Sequence, residues 1–265
     1  MIFASLFSVV ALPIVMVLQP AVFDLSAGRS AALALNGTLG VVAVLCYFYA
    51  LHEDEASYVV PLYQTIPIFG FALGDVILGE KISVSQCVAC LIIIAGALIL
   101  SFDLTGALKF KGKVVLLMLA ASLCYAINGV VFKLMALDDG FWTATFWSLL
   151  GKVVVGLLLF VFVPTYRQQF MAMFRTNRAP VLGLNALSEA LFIAGDGAMQ
   201  YATLLAPVVL VLLVNSFQPM FVLGLGVALS LFAPRLSQES LTKKQLVQKL
   251  VGTATIIVGT FFIGA

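Results

Sequence analysis

Charged residues are scarce in this sequence. Lys, Arg, Asp and Glu together make up 10% of the 265 residues, and the formal net charge is only +2. A soluble domain carries about 25% charged and about 45–50% apolar residues, whereas 63% of this chain is hydrophobic. A charge this small gives no indication of nucleic acid as a partner. The composition instead predicts an integral membrane protein whose main partner is the lipid bilayer.

Histidine and cysteine are also rare, which argues against metal and redox chemistry. His52 is the single histidine, and its sequence context is not the H-E-x-x-H zinc pattern. Cys87 and Cys90 form one C-x-x-C without a second Cys or His pair. The chain has neither a G-x-x-x-x-G-K-[ST] phosphate loop nor a G-x-S-x-G elbow. We therefore predict no metal, no cofactor, no ATP-driven step and no enzyme activity.

Long apolar runs dominate what is present. A membrane-spanning helix needs about 20 mainly apolar residues, whereas a barrel strand needs about ten alternating ones. Charged connections separate apolar runs of helical length. None of these connections is long enough to be a linker between soluble domains. The pattern predicts an all-α polytopic membrane helix bundle with about nine transmembrane helices, at 1–19, 31–51, 57–79, 83–102, 112–134, 141–163, 180–204, 206–232 and 246–264.

The sequence also contains an internal repeat. Tyr49–Leu51 corresponds to Tyr201–Thr203 at an offset of 152, and Ile93–Gly96 corresponds to Ile256–Gly259 at an offset of 163. Segments 1–4 therefore pair with segments 6–9, and segment 5 has no counterpart. An odd number of crossings separates equivalent helices, so the two copies are predicted to be inverted. Inverted repeats are typical of secondary transporters, whose substrate site lies near the bilayer midplane between the copies.

Two prolines occupy equivalent positions in the repeat. Pro67 and Pro219 are 152 residues apart, and each falls inside an apolar segment, where proline is expected to kink the helix. Kinks at corresponding positions in two halves point to a binding region. Polar residues near these prolines can either bind substrate or satisfy the carbonyls freed by the kinks: Tyr63, Gln64, Asn215 and Gln218.

Segment 7 carries a polar stripe. At 100° per residue, Asn185, Glu189, Asp196 and Gln200 fall within about 60° of one another on one helix face. Ionisable residues at membrane depth cost roughly 2.5–3.5 kcal/mol each on insertion scales and usually mark function. Lys152, in the middle of segment 6, is expected to pair with Glu189 or Asp196. The pair is either a structural lock or a site for a substrate carboxylate beside a proton-titrating acid.

The stretch Pro67–Glu80, followed by Lys81-Ile-Ser and a glycine at Gly96, resembles the EamA domain of the drug/metabolite transporter superfamily. Ala120–Lys133 resembles the first helix of a second such domain. The resemblance implies ten helices in two five-helix repeats, a central cavity, and export or exchange of small metabolites. On this basis residues 1–105 are predicted to form a first repeat lacking its first helix, and residues 106–265 a second repeat without the Leu-Gly-Glu turn.

These observations favour a secondary transporter in the plasma membrane. We expect it to export a small polar metabolite such as an amino acid, with a proton gradient as one candidate driving force. The alternatives are an intramembrane enzyme or a non-transporting scaffold or receptor. The sequence leaves the substrate, the direction of transport and the oligomeric state open.

Overall fold

The computed structural model describes residues 2–54, 59–101, 112–176, 178–218, 220–221, 224–225 and 243–263. This part of the chain is helical and contains no strand, which confirms the all-α prediction. The α-helices are α1 (Ile2–Leu18), α2 (Ala27–Glu53), α3 (Ile66–Leu78), α4 (Val84–Ser101), α5 (Gly112–Asp139), α6 (Phe141–Phe162), α7 (Pro164–Thr176), α8 (Arg178–Leu205), α9 (Val208–Leu213) and α10 (Lys243–Ile263). Short 3₁₀ helices span Pro20–Phe23, Val60–Thr65 and Val214–Phe217.

The described helices have the surface of a membrane protein. α2, α5 and α6 are long and apolar enough to cross a bilayer, and five shorter apolar helices accompany them. Large apolar side chains point outward, as Val17, Val76 and Val84 show with 81%, 81% and 82% of their surface exposed. Such surface is stable only against lipid or a partner. These features support the predicted membrane class, whereas the count of nine spans stays a prediction.

One helix lies where the sequence predicted only a connection. The residues between predicted segments 6 and 7 form α7, which begins at Pro164 directly after α6. Proline suits the first turn of a helix because the N–H it lacks has no intrahelical partner there. Hydropathy did not predict α7, because its sequence contains polar residues at both ends and only a short apolar run.

By its internal contacts the chain divides into two compact units. Unit 1 comprises Met1–Val44 and Ile127–Ala206, and unit 2 comprises Leu45–Ala126 and Pro207–Ala265. The divisions fall within α2 and α5 and just after α8. The predicted boundary between the two repeats, at residues 105 and 106, lies outside the described residues.

Unit 1 is built on α6, which packs along α1. It also approaches α2 very closely. A β-carbon on Gly37 would lie 1.9 Å from the carbonyl oxygen of Ser148, and one on Gly151 would lie 1.9 Å from that of Ala34. Only glycine fits at these two positions, as is usual where membrane helices cross at short distance. The crossing places Gly40 against the Lys152 side chain, whose Cε would be 3.8 Å from a β-carbon there.

Unit 2 is built from two helix pairs: α3 packs on α9, and α4 packs on α10. Its main core joins α4, α9 and α10 through Ile93, Val209, Leu213 and Ile256, all at most 4% exposed. Under the predicted repeat, segments 3 and 8 are equivalent, and so are segments 4 and 9. Each helix pair of unit 2 therefore joins a segment to its own repeat equivalent.

The polar contacts between α4 and α10 are reciprocal. Ser85 Oγ donates to the Phe262 carbonyl at 3.0 Å, and Gln248 Nε2 donates to the Ile99 carbonyl at 2.6 Å. Ser85 and Gln248 are equivalent at the offset of 163, as are Ile99 and Phe262. The start of each helix thus meets the end of the other, so the pair is antiparallel with a local two-fold relationship.

The centre of the same helix pair repeats this relationship. A β-carbon on Gly96 would lie 2.9 Å from Ile256 Cγ1, and one on Gly259 would lie 2.6 Å from Ile93 Cγ1. Both isoleucines are fully buried. Gly96 of α4 thus accommodates Ile256 of α10, and Gly259 of α10 accommodates Ile93 of α4. The two glycines are equivalent at the offset of 163, and so are the two isoleucines. A two-fold axis between antiparallel equivalents is the geometry expected of an inverted repeat.

Candidate functional site

The polar centre of unit 1 is an ion pair between α6 and α8. Lys152 Nζ lies 2.7 Å from Asp196 Oδ2, and each side chain is only 14% exposed. Gln200, one turn further along α8, donates to the same carboxylate oxygen at 3.1 Å. Two donors, one of them charged, therefore converge on one oxygen of Asp196. Charged partners shorten and strengthen such hydrogen bonds.

The local sequence explains how Lys152 reaches this position. Gly37 and Gly151 let α6 lie close to α2, and Gly40 leaves space on α2 for the lysine side chain. The long apolar part of Lys152 can therefore pack inside the bundle while its ammonium extends to α8. The polar stripe on α8 supplies the acceptor.

The other predicted residues of the stripe lie on the same helix. Glu189 and Asn185 are half-buried, two and three turns before Asp196. The sequence offered Glu189 and Asp196 as alternative partners of Lys152, and the ion pair in the structure is with Asp196. The stripe thus combines a paired carboxylate at Asp196 with a second carboxylate at Glu189.

The predicted polar residues around the prolines belong to unit 2, and three of the four lie in 3₁₀ helices. Tyr63 and Gln64 are in Val60–Thr65, and Asn215 is in Val214–Phe217. The second of these 3₁₀ helices corresponds to residues 62–65 at the offset of 152. The two positions that the predicted repeat makes equivalent therefore share the 3₁₀ conformation. A 3₁₀ stretch within a longer helix often marks a functional site.

Proline chemistry accounts for this change. A proline cannot donate to the carbonyl four residues earlier, which is Tyr63 for Pro67 and Asn215 for Pro219. The residue before each proline takes that carbonyl instead: Ile66 N–H donates to Tyr63 O, and Gln218 N–H donates to Asn215 O. Pro67 is buried and stands second in α3, where the 3₁₀ helix becomes α-helical. Pro219 lies outside the described residues.

The backbone therefore satisfies the freed carbonyls without using the neighbouring side chains. In the part of the chain that the structure describes, Asn215 Nδ2 and Ser216 Oγ are buried atoms without a hydrogen-bond partner. Gln64 is buried at 4% exposure, whereas Gln218 is exposed. The Tyr63 ring lies 4.9 Å from that of Tyr47. Asn215 and Ser216 therefore keep hydrogen-bonding groups that no other described residue uses.

Sequence reasoning overlooked Asn36. Its Nδ2 donates to the Asn128 carbonyl at 3.2 Å, and Asn128 Nδ2 donates to the Asn36 carbonyl at 2.8 Å. Both side chains are buried, at 1% and 6% exposure. An asparagine inside an apolar segment is itself a signal for interhelical hydrogen bonding in membranes. This exchange joins α2 to α5 within unit 1.

Comparison with known proteins assigns the amino-terminal part of the chain. Residues 1–102 match the EamA-like transporter family. Uncharacterized protein MJ1333.1 of Methanocaldococcus jannaschii is 34% identical over 69 residues, which are 26% of this chain and 50% of that protein. The match thus spans half the length of that curated relative.

The fold has a counterpart among solved structures. One solved crystal structure aligns with a TM-score of 0.55 and 16% identity, over 97% of this chain and 98% of that one. At this identity the likeness shows the fold alone. The EamA family that residues 1–102 match is a transporter family. The match over residues 1–102 agrees with the EamA resemblance that the sequence shows around Pro67–Glu80.

Proposed function

We propose that the protein is a secondary transporter that exports small polar metabolites, with amino acids as the leading class, across the plasma membrane. The ion pair between Lys152 and Asp196 carries this proposal. A cation and an anion deep in an otherwise apolar helix bundle cost free energy that packing alone does not return. Their retention favours a functional role, and the family match supports transport as that role.

The chemistry of the pair suits a zwitterion. A substrate carboxylate can replace Asp196 as the partner of the Lys152 ammonium. A substrate ammonium can replace Lys152 as the partner of the Asp196 carboxylate. Gln200 already donates to Asp196 at 3.1 Å and would hold the carboxylate in place during this exchange. A ligand with both charges leaves neither side chain unpaired, whereas a ligand with one charge leaves the other buried and costly.

Proton coupling is the proposed driving force. A proton on Asp196 removes the negative charge to which a substrate ammonium would bind, so a proton and the substrate exclude each other there. Glu189 is a second acid on the same face of α8 and can take up the proton that Asp196 releases. Substrate and proton would then compete for one group, which is the simplest basis for antiport.

The polar residues of unit 2 form a second set of candidate substrate contacts. Asn215 carries a buried amide nitrogen without a partner, beside the fully buried Ser216 hydroxyl. Tyr63 and Gln64 are their repeat equivalents at the offset of 152. With Gln218, they offer neutral hydrogen-bonding groups, which suit the polar but uncharged parts of a metabolite.

Reconstitution into proteoliposomes tests the proposal. A panel of radiolabelled amino acids and other small metabolites is offered with and without an imposed pH gradient. We expect gradient-stimulated flux of at least one zwitterion. Glu189→Gln and Asp196→Asn should each remove the pH dependence in part, and the double variant should remove it entirely.

The exposed ion pair between Lys81 and Asp75 provides the control. Asp75→Asn removes a carboxylate of the same type without touching α8, so its flux should equal that of the wild type. Flux that does not exceed that of empty vesicles for every solute would contradict transport and favour a scaffold or receptor. An unchanged pH dependence in the double variant would contradict coupling through α8.

A further inference from the structure

The Leu78-Gly79-Glu80 turn reaches from the end of α3 to the start of α9. The carboxylate oxygen Oε2 of Glu80 accepts a hydrogen bond from the Val208 backbone N–H at 2.7 Å. Val208 is the first residue of α9, and the residue before it, Pro207, makes no side-chain capping bond. The acceptor for this helix start therefore comes from a residue far away in the sequence.

Two glycines make this reach possible. Gly79 adopts a left-handed conformation with φ of 66°, and both its N–H and that of Glu80 donate to the Gly74 carbonyl. A glycine after the last helical residue in this conformation ends a helix at little steric cost. A β-carbon on Gly74 would lie 2.9 Å from Glu80 Oε2, so a side chain there would displace the carboxylate.

The same side of α3 contacts α9 one turn earlier. A β-carbon on Gly70 would lie 2.6 Å from Leu212 Cδ1, which shows how closely the two helices approach. Gly70, Gly74 and Gly79 thus permit α3 to lie against α9. The turn that ends α3 then caps the start of α9. A carboxylate at a helix N-terminus also interacts favourably with the partial positive charge of the first N–H groups.

Beyond this cap, α9 leads directly into the 3₁₀ helix that carries Asn215 and Ser216. We propose that Glu80 is a positioning residue for transport: its carboxylate fixes the start of α9 and thereby places the Asn215 side chain where it meets substrate. The proposal rests on the proposed transport function. It assigns the Leu-Gly-Glu turn of the first repeat a role in orienting a helix of the second.

Amide hydrogen exchange of the reconstituted protein tests the cap without any substrate. Charge-assisted hydrogen bonds contribute enough free energy that their loss accelerates exchange about tenfold or more. Glu80→Ala should therefore raise the exchange rate across residues 208–213 by about that factor. Glu80→Gln keeps an acceptor oxygen without the charge and should give a smaller increase, and the partly exposed Asp75→Asn should give none.

Transport kinetics then test the positioning role. In Glu80→Ala the apparent KM should rise about tenfold, in Glu80→Gln the increase should be smaller, and Asp75→Asn should match the wild type. Gly74→Ala leaves Glu80 intact but displaces its carboxylate, so it should reproduce both effects and serves if Glu80→Ala does not fold.

Each outcome decides a separate claim. Wild-type exchange rates across residues 208–213 in both Glu80→Ala and Gly74→Ala would overturn the cap. Faster exchange with unchanged KM and maximal rate would overturn the positioning role. Absence of flux in the wild-type protein would remove the transport function and the positioning role together, while the exchange result would still report on the cap.

Discussion

Lys152 and Asp196 form an ion pair of 2.7 Å between the middle of α6 and α8, with each side chain only 14% exposed. A buried pair of this kind gains little over well-packed apolar residues of similar size. Removing one partner is costly, because the other charge is left buried and uncompensated. This asymmetry leads to a prediction that separates a functional pair from a structural one.

Replacing one member should destabilise the protein more than replacing both. We expect Asp196→Leu to lower the free energy of unfolding by about 3–5 kcal/mol, and the double variant with Lys152→Met to recover most of that loss. Asp75→Leu, in the exposed pair with Lys81, should cost about 0–1 kcal/mol. Thermal unfolding in detergent measures these differences.

A double variant that is stable but does not transport identifies the pair as functional. A double variant as unstable as the single one would show that the pair locks α6 to α8.

The reciprocal contact between α4 and α10 predicts matched mutational effects. Gly96→Ala and Gly259→Ala each bring a methyl group within 3 Å of a buried isoleucine. Overpacking of this kind typically costs about 1–3 kcal/mol. Both variants should therefore lower the unfolding temperature by similar amounts.

Gly195 on α8 is the matched control, because beyond the neighbouring backbone of its own helix no heavy atom lies within 4 Å of its β-carbon position. Gly195→Ala should be neutral or slightly stabilising, since alanine favours a helix by about 1 kcal/mol over glycine. A strong effect at Gly96 with none at Gly259 would contradict the two-fold relationship.

Two asparagines should respond in opposite ways to the same substitution. Asn128 donates to the Asn36 carbonyl, so Asn128→Leu should cost about 1–3 kcal/mol of stability. The Asn215 amide nitrogen has no hydrogen-bond partner among the described residues, so Asn215→Leu should cost little or even stabilise. If Asn215 binds substrate, its variant should keep its unfolding temperature but show a raised KM. Wild-type kinetics for Asn215→Leu would exclude it from the site.

Local sequence patterns predicted the features that depend on one helix alone. Hydropathy predicted the membrane class, and helical periodicity placed Asp196 and Gln200 on one face, where Gln200 donates to the carboxylate that pairs with Lys152. The helix type around Pro67 was not predictable in the same way. Whether a freed carbonyl takes a bond from three residues ahead or from a side chain is settled by local geometry, and here Ile66 supplies that bond.

Features that depend on contacts between distant segments were out of reach. Glu80 was predicted to lie in a connection, because nothing in the sequence links its carboxylate to the backbone N–H of Val208. Segment 8 was predicted as one continuous apolar helix. In the structure it begins with a six-residue α-helix, which a short 3₁₀ helix follows. The repeat was visible in the sequence, but the reciprocal packing of Gly96 and Gly259 required coordinates.

The central claim is that Lys152 and Asp196 bind a zwitterionic solute during transport. Its most direct test is flux into proteoliposomes of an amino acid, the amine lacking its carboxylate and the acid lacking its ammonium. The wild type should carry only the zwitterion, and the exchanged variant Lys152→Asp with Asp196→Lys, which keeps an ion pair, should fold and retain some zwitterion flux. Lys152→Met with Asp196→Leu should fold and carry none. Equal flux of the three solutes, or full zwitterion flux in the variant without charges, would contradict the account.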